Sequence, residues 1–333
     1  MKYVKISDLK PDMILANSLY DNNENILLRA NARLTTYHIN RIEKFNYDGL
    51  YIFEDNEIYN HNTIISEGTR LKALKSLKHL NIDDCLYIAN QLVEEVRSNP
   101  TIIVEMINLS SYDNYTYNHS INVDILSVVL GIGLGLKDKE LVKLSQAALL
   151  HDIGKTGISK KILNKPKKLS PKEYKEVQNH SYYGYNMLKN NDNIASVVRN
   201  AIYSHHENED GSGYPRGLVS KKIHKFAKII HIADVYDALT ARRVYKEPLN
   251  PADTLEYLMA NAGTMFDIKM VETFMKYVAP YHVGTTVQLS NGQTATVLKN
   301  NPNQLGRPIV QTEDKVIDLM EVLDITITGL LTI

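Results

Sequence analysis

Between residues 69 and 280 the apolar side chains recur at helical spacing, and on either side of that stretch the pattern changes to that of strands. Leu86, Ile88, Leu92, Val93 and Val96 share one helical face; Leu141, Leu144, Ala148 and Leu149 share another. A helix with an apolar stripe must bury it against a neighbour, so a series of such helices demands a bundle. The expected fold is mainly α: a helical bundle with a small N-terminal α/β module and a small C-terminal β module. The expected boundaries are 1–55 for the first module, 56–104 for a linker and connecting helices, 105–281 for the main helical domain and 282–333 for the last module.

At the N-terminus, Met13 to Leu19 and Ile26 to Leu34 flank a polar turn and read as a β-hairpin. Thr35 or Thr36 is placed to cap a short helix that runs to Phe45, with Ile39 and Ile42 on one face, and Gly49 to Phe53 reads as a returning strand. At the other end, Thr285 to Leu289 and Thr294 to Leu298 are joined across Asn291-Gly292, a pair suited to a type I′ turn. Pro308 to Thr312 and Val316 to Leu319 supply further strands.

The 333 residues carry 38 basic and 38 acidic side chains, which argues against a generally basic surface for DNA or RNA polymers. A single cysteine, Cys85, cannot form an internal disulfide and reads as a packing residue, as expected in a reducing cytoplasm. No N-terminal stretch has the signal-peptide pattern, and the longest apolar run, Ile125 to Leu136, is too short for a membrane span. A cytoplasmic location is the expectation.

Within the helical region, metal-ligand residue types recur: His119, then His151-Asp152, His180, His205-His206 and Asp234. Taken singly each has an ordinary explanation, since a lone histidine is more often a hydrogen-bonded structural residue. Asp234 stands out, because it follows Ile229-Ile230-His231-Ile232-Ala233, and a carboxylate in apolar surroundings is expensive unless paired or metal-bound. Taken together, five imidazoles and two carboxylates exceed one tetrahedral zinc site. Imidazole with carboxylate and no thiolate suits iron, manganese or zinc. Two such ions roughly 3.5–4 Å apart can hold a phosphate ester for in-line attack by water, which makes phosphate-ester hydrolysis the leading chemistry.

The order His151-Asp152-x-Gly154-Lys155, His180, His205-His206, Asp210-Gly211-x-Gly213-Tyr214-Pro215 and Asp234-x-x-Asp237-Ala238-Leu239 resembles the HD-GYP domain of the HD phosphohydrolase superfamily. The resemblance spans about residues 105–280 and implies an HD-type helical bundle acting as a cyclic di-GMP phosphodiesterase. It implies that His119, His151, Asp152 and Asp234 hold one ion. Asp152 would bridge to a second, completed by His180, His205 and His206. It also implies catalytic roles for Asp152 and Lys155, with a hydroxide bridging the two metals as nucleophile. Substrate contacts would come from Lys155, Gly213, Tyr214, Pro215, Asp237, Arg243 and Lys246. Three-metal members carry a glutamate four residues before the first ligand histidine. Tyr115 stands there in this chain, and Asp113 is out of phase by two. Two divalent ions are therefore expected, iron first and manganese or zinc next, with linear pGpG as product and slower progress to GMP.

The Gly213-Tyr214-Pro215 turn reads equally well as a substrate edge, as a docking loop for a diguanylate cyclase or other protein, or as a helix stop that orients His205 and His206. The lysines at 160, 161, 165, 167, 168, 172 and 175 read as a solvated face. His231, three residues before Asp234, reads as a packed histidine. Rival functions are a sensor that binds the dinucleotide without turnover and an HD phosphohydrolase for another cyclic dinucleotide. A homodimer is left open.

Overall fold

The structure is a computed structural model. It describes residues 2–16, 18–21, 26–45, 47, 49–53, 64–99, 104–105, 115–165, 167–241, 249–281, 283–302 and 304–331. The chain divides into two compact units. One gathers Met1–Thr63, Leu109–Tyr115 and Tyr281–Ile333, the other Ile64–Asn108 and Thr116–Pro280.

In the N-terminal module β1 (Lys2–Lys5), β2 (Ile14–Leu15) and β5 (Gly49–Phe53) form an antiparallel sheet in the order β1-β5-β2, while β3 (Leu19–Tyr20) pairs with β4 (Ile26–Leu28) as a separate ribbon. The expected hairpin continues beyond that ribbon, since Ile14 bridges Arg33 and the Leu15 and Leu34 amides reach the Ala32 and Met13 carbonyls at 2.9 and 2.7 Å, while Ile14 and Leu15 also pair with Phe53 and Ile52 on the other side. Helix α1 (Thr36–Ile42) starts at Thr35, whose hydroxyl accepts from the His38 amide at 3.2 Å. It buries Ile39 and Ile42 among Leu15, Leu34, Leu50 and Ile52.

The helical unit runs through α2 (Glu67–Lys78), α3 (Ile82–Ser98), α4 (Tyr115–Gly133), α5 (Asp138–Leu149), α6 (Lys160–Leu163), α7 (Pro171–Gln178), α8 (His180–Leu188), α9 (Ser196–Ser204), α10 (Lys225–Thr240), α11 (Pro251–Ala260) and α12 (Ile268–Phe274). Short strands β6 (Val104–Glu105) and β7 (Val278–Ala279) pair in parallel. Residues 67–98, expected to be connecting helices, belong to this bundle: Leu74, Leu77, Leu86, Leu92 and Val96 share one core with Ile121, Leu126, Leu144, Ala148 and Ile230. The reason is the apolar face of α3, which has to be buried wherever the helix lies. Cys85 is in that core, and burial, with Asp84 beside it, pushes its thiol up to about 12, so it packs as a small apolar group. Among the described residues no helix is long and apolar enough to cross a membrane.

In the C-terminal module β8 (Thr286–Leu289), β9 (Thr294–Lys299), β10 (Ile309–Gln311), β11 (Val316–Asp318) and β12 (Ile327–Leu330) form an antiparallel sheet in the order β11-β10-β9-β8-β12. The β8–β9 turn differs from the expected type I′. Only Gly292 has positive φ (84°), and the Leu289 amide reaches the Gln293 carbonyl at 2.9 Å, a three-residue loop. Asn291 stays at negative φ because its side-chain oxygen accepts from the Gln293 amide at 3.0 Å.

The helical unit depends on one close approach. A Cβ on Gly154 would lie 1.9 Å from the His180 carbonyl oxygen and 2.4 Å from the Gly184 amide nitrogen. Gly154→Ala must therefore push α8 off the 153–157 turn. The expected loss is about 3 kcal/mol, the upper end of overpacking costs, read by calorimetry as a fall of about 6–12 °C in Tm. Gly184→Ala, whose Cβ would first meet a methyl of Ile202 at 3.1 Å, should cost clearly less. Equal effects would refute the backbone-clash account.

Candidate metal centre

Three of the site histidines follow helix C-termini within two residues: His151 after α5, His180 after α7 and His205 after α9. Their Nδ1 atoms meet the carbonyls three residues back, at Ala148 (2.8 Å), Val177 (2.7 Å) and Ile202 (2.7 Å). Carbonyls in a helix's last turn have spare acceptor capacity. Each contact makes Nδ1 the donor and leaves a lone pair on Nε2. The rings then gather, with centroids 5.1 Å apart for His151 and His205 and 5.2 Å for His180 and His205.

Helix α10 supplies Asp234 and α4 supplies His119, whose Nε2 is 3.0 Å from Asp234 Oδ1. Asp152 stands between the groups. Its Oδ2 is 3.4 Å from His151 Nε2 and 3.7 Å from His119 Nε2 and pairs with Lys155 Nζ, while Oδ1 is 3.4 Å from His180 Nε2. The potential ligand atoms of His119, His151 and Asp152 lie within 4.8 Å of one another, as do those of His180, His205 and His206; a third set, His151, His205 and Asp234, overlaps the first two.

These residues fit a cation. His151 Nε2 and Asp152 Oδ1 are buried without a hydrogen-bond partner, a costly state for polar atoms. His180 Nε2 and His205 Nε2 face each other at 3.2 Å although both carry lone pairs once Nδ1 donates to a carbonyl. A positive ion between them resolves the conflict. Burial and the neighbouring imidazoles hold His205 and His206 well below 6.5, in the neutral form that binds metal. Burial would raise Asp152 and Asp234, yet both lie well below the usual carboxylate range. Lys155 and His151 hold Asp152 down, and His119 and His206 hold Asp234 down.

The Gly213-Tyr214-Pro215 turn is bound to this centre. A Cβ on Gly213 would lie 2.4 Å from the His206 carbonyl oxygen, and the Tyr214 amide donates to that oxygen at 3.1 Å. Tyr214 stacks on the His206 ring with centroids 4.6 Å apart, and its hydroxyl is pushed up chiefly by burial. Glu207 closes the turn by accepting from the Arg216 and Leu218 amides, both at 2.8 Å. His231 Nε2 is 3.0 Å from Asn208 Oδ1 and its ring packs on Phe266, as expected of a packed histidine.

Asp237, expected at the substrate, lies elsewhere. It is buried behind His119, with Oδ2 2.6 Å from His119 Nδ1 and Oδ1 accepting from Asn122 at 2.9 Å. One turn of α10 separates it from Asp234, so both carboxylates face the same ring. Glu207 and Asn122 escaped the sequence reading. Their signals were local: Glu207 follows the His-His pair, and Asn122 is three residues past His119 on one helix. Arg243 and Lys246 lie outside the described residues, as do Asp113 and the Tyr115 side chain.

Buried imidazoles and carboxylates converging from separate helices define a histidine–aspartate metal-binding centre. A family model described as HD domain matches residues 103–270, and the chain belongs to the HD-domain family. It is 36% identical over 227 residues to the cyclic di-GMP phosphodiesterase PA4108 of Pseudomonas aeruginosa, covering 67% of this chain and 55% of that protein. It is 38% identical over 153 residues to the 3'3'-cGAMP-specific phosphodiesterase 3 of Vibrio cholerae, covering 46% of this chain and 33% of that one. The chain thus spans about half of the first relative and a third of the second. Among solved structures, Bd1817, an HDG"Y"P protein from Bdellovibrio bacteriovorus, shares the fold with a TM-score of 0.56, over 82% of this chain and 97% of that one, at 19% identity.

The titrations set a pH optimum for metal-free protein. His205 and His206 stay neutral when folded but protonate near 6.5 when unfolded, so stability falls as pH drops below 6.5, by about 1.4 kcal/mol per pH unit for each. Burial would lower His119, but Asp234 and Asp237 raise it to about 9. Its contribution is fully present below 6.5 and is lost as pH rises towards 9. The Tm of chelator-treated protein should therefore peak near pH 6.5 and fall on both sides. A flat profile across pH 5 to 9 would contradict these assignments.

Proposed function

We propose that the chain is a metal-dependent phosphodiesterase that hydrolyses cyclic di-GMP to linear pGpG, with slower progress to GMP. The observation that carries this reading is Asp152, whose two oxygens face different imidazole groups while Lys155 pairs with one of them. That is the placement for a carboxylate shared by two cations. His119, His151, Asp152 and Asp234 would hold one ion; Asp152, His180, His205 and His206 would hold the other. Iron leads and manganese or zinc follow, on donor chemistry. When bound, the ions supply Lewis acidity towards a phosphoryl oxygen and lower the pKa of water.

The chain's own residues do the rest. Lys155, its side chain 30% exposed, brings an ammonium against Asp152, where it can neutralise charge growing on a phosphoryl oxygen. The walls of the site are shielded from bulk solvent, since His119, His151, Asp152, His180 and His205 are all buried, which strengthens that interaction. Tyr214 fixes the His206 ring by stacking and presents the turn to substrate. A second reading, hydrolysis of another cyclic dinucleotide, is favoured by one finding: the relatives named above differ in the substrate their names carry.

Incubation of metal-loaded protein with cyclic di-GMP should yield pGpG by chromatography, and excess 3'3'-cGAMP should compete weakly. Absence of product across iron, manganese and zinc would refute turnover. Preferential cleavage of the mixed dinucleotide would favour the second reading. Lys155→Met should lower kcat by about a hundredfold while metal content by elemental analysis stays at the wild-type value. Asp152→Ala should lose both metal and activity; full activity in that variant would sink the assignment.

A further inference from the structure

His119 is oriented differently from the other histidines. His151, His180 and His205 each use a carbonyl at the end of a helix. His119 lies in the first turns of α4, where the preceding carbonyls serve the helix itself. Its Nδ1 meets a side chain instead, Asp237 Oδ2 at 2.6 Å.

Asp237 is in turn held. Asn122 donates to its Oδ1 at 2.9 Å, and Arg70 of α2 donates to the Asn122 oxygen at 3.2 Å. The order is directional. A flipped Asn122 amide would set its NH2 against the guanidinium and its oxygen against the carboxylate, so both ends oppose the flip. Opposite charges at the ends of the chain strengthen each link. Helix α2 is itself latched: Glu95 of α3 accepts from the Ser66 amide at 2.5 Å and from the Thr69 hydroxyl at 2.6 Å.

We propose that Asn122 and Arg70 are positioning residues of the metal centre, which act through Asp237 to fix the ring plane and tautomer of His119 and so set the affinity of the ion His119 would hold. The proposal rests on the reading of the site as a metal centre and is independent of which dinucleotide is cleaved. Outer groups that orient a ligand histidine typically contribute about 10–100-fold in metal affinity.

The test is titration of chelator-stripped protein with Mn²⁺ under anaerobic conditions, followed by calorimetry and by the electron paramagnetic resonance of the bound ion. Wild type, Asn122→Leu, Arg70→Met and Arg70→Lys are compared. Asn122→Leu should weaken one binding step by about 10–100-fold, alter the resonance of that ion and leave the other step in place. Arg70→Met should move the same step by less, and Arg70→Lys should recover it. The Tm of stripped Arg70→Met should stay close to wild type, whereas stripped Asn122→Leu, which takes a donor from the buried Asp237, should fall by a few degrees. Wild-type affinity at both steps in Asn122→Leu and Arg70→Met would overturn the proposal. So would weakening of both steps together with a fall in stripped Tm, the mark of a merely structural role. Should Asn122→Leu fail to fold, the Arg70 pair on its half-buried side chain decides alone. Wild-type protein that takes up no ion would overturn the metal reading itself, whereas a variant-specific failure overturns only this chain of contacts.

Discussion

The site depends on an imidazole that donates through Nδ1 to a carbonyl at the end of a helix. His151, His180 and His205 repeat it on three helices, and it settles several things at once. It uses the spare acceptor capacity of carbonyls in a helix's last turn, fixes the tautomer and turns each Nε2 inward. It also brings the partly negative ends of α5, α7 and α9 to one place, which favours a cation there. The bundle is what makes the arrangement hold: the apolar faces of α5 and α9 are locked in a single core, and α7, which buries no side chain, leads directly into α8, whose Leu188 belongs to that core.

From this follows the close approach at Gly154. The 153–157 turn carries Lys155 and directly follows Asp152, and it lies against the backbone of α8 that begins with His180. Two ligand-bearing segments thus touch backbone to backbone, and only a residue without Cβ allows it. The Gly213 contact with the His206 carbonyl does the same on the other side. The glycines of both motifs serve geometry first, and the Tyr214 stack on His206 shows that the turn after the paired histidines helps to set a ligand ring.

Much of this was legible in the chain. The helical period predicted the bundle, and Asn291-Gly292 predicted the C-terminal hairpin, because both signals are local. The residues converging on the centre could be named from their ligand types and from the resemblance of their order to the HD-GYP domain; His151, His180 and His205 follow helix ends, whereas His119 and Asp234 lie within α4 and α10. What escaped has a common cause. Asp237 and His119 are 118 positions apart, and only tertiary packing turns Asp237 towards the ring rather than outwards. The membership of α2 and α3 in the main core escaped for the same reason: their apolar faces announce burial without naming the partner. The turn type at Asn291 failed on a smaller scale, where a side-chain hydrogen bond outweighed the dipeptide preference.

Asp124 shows how far the charges of the centre are a matter of surroundings rather than residue type. It is on α4, five residues past His119, and is as buried as Asp152 and Asp234. Burial raises all three. Asp152 and Asp234 have cationic or imidazole neighbours that reverse the effect, whereas at Asp124 burial is opposed by a hydrogen bond from Ser145 and the group stays well above the usual range. The Ser145 hydroxyl donates to Asp124 Oδ2 at 2.9 Å, which offsets only part of the effect of burial. One helix thus joins a core aspartate pushed well above the usual range to a histidine that faces Asp234, which is held well below it, and the difference lies in whether positive or proton-donating groups are within reach.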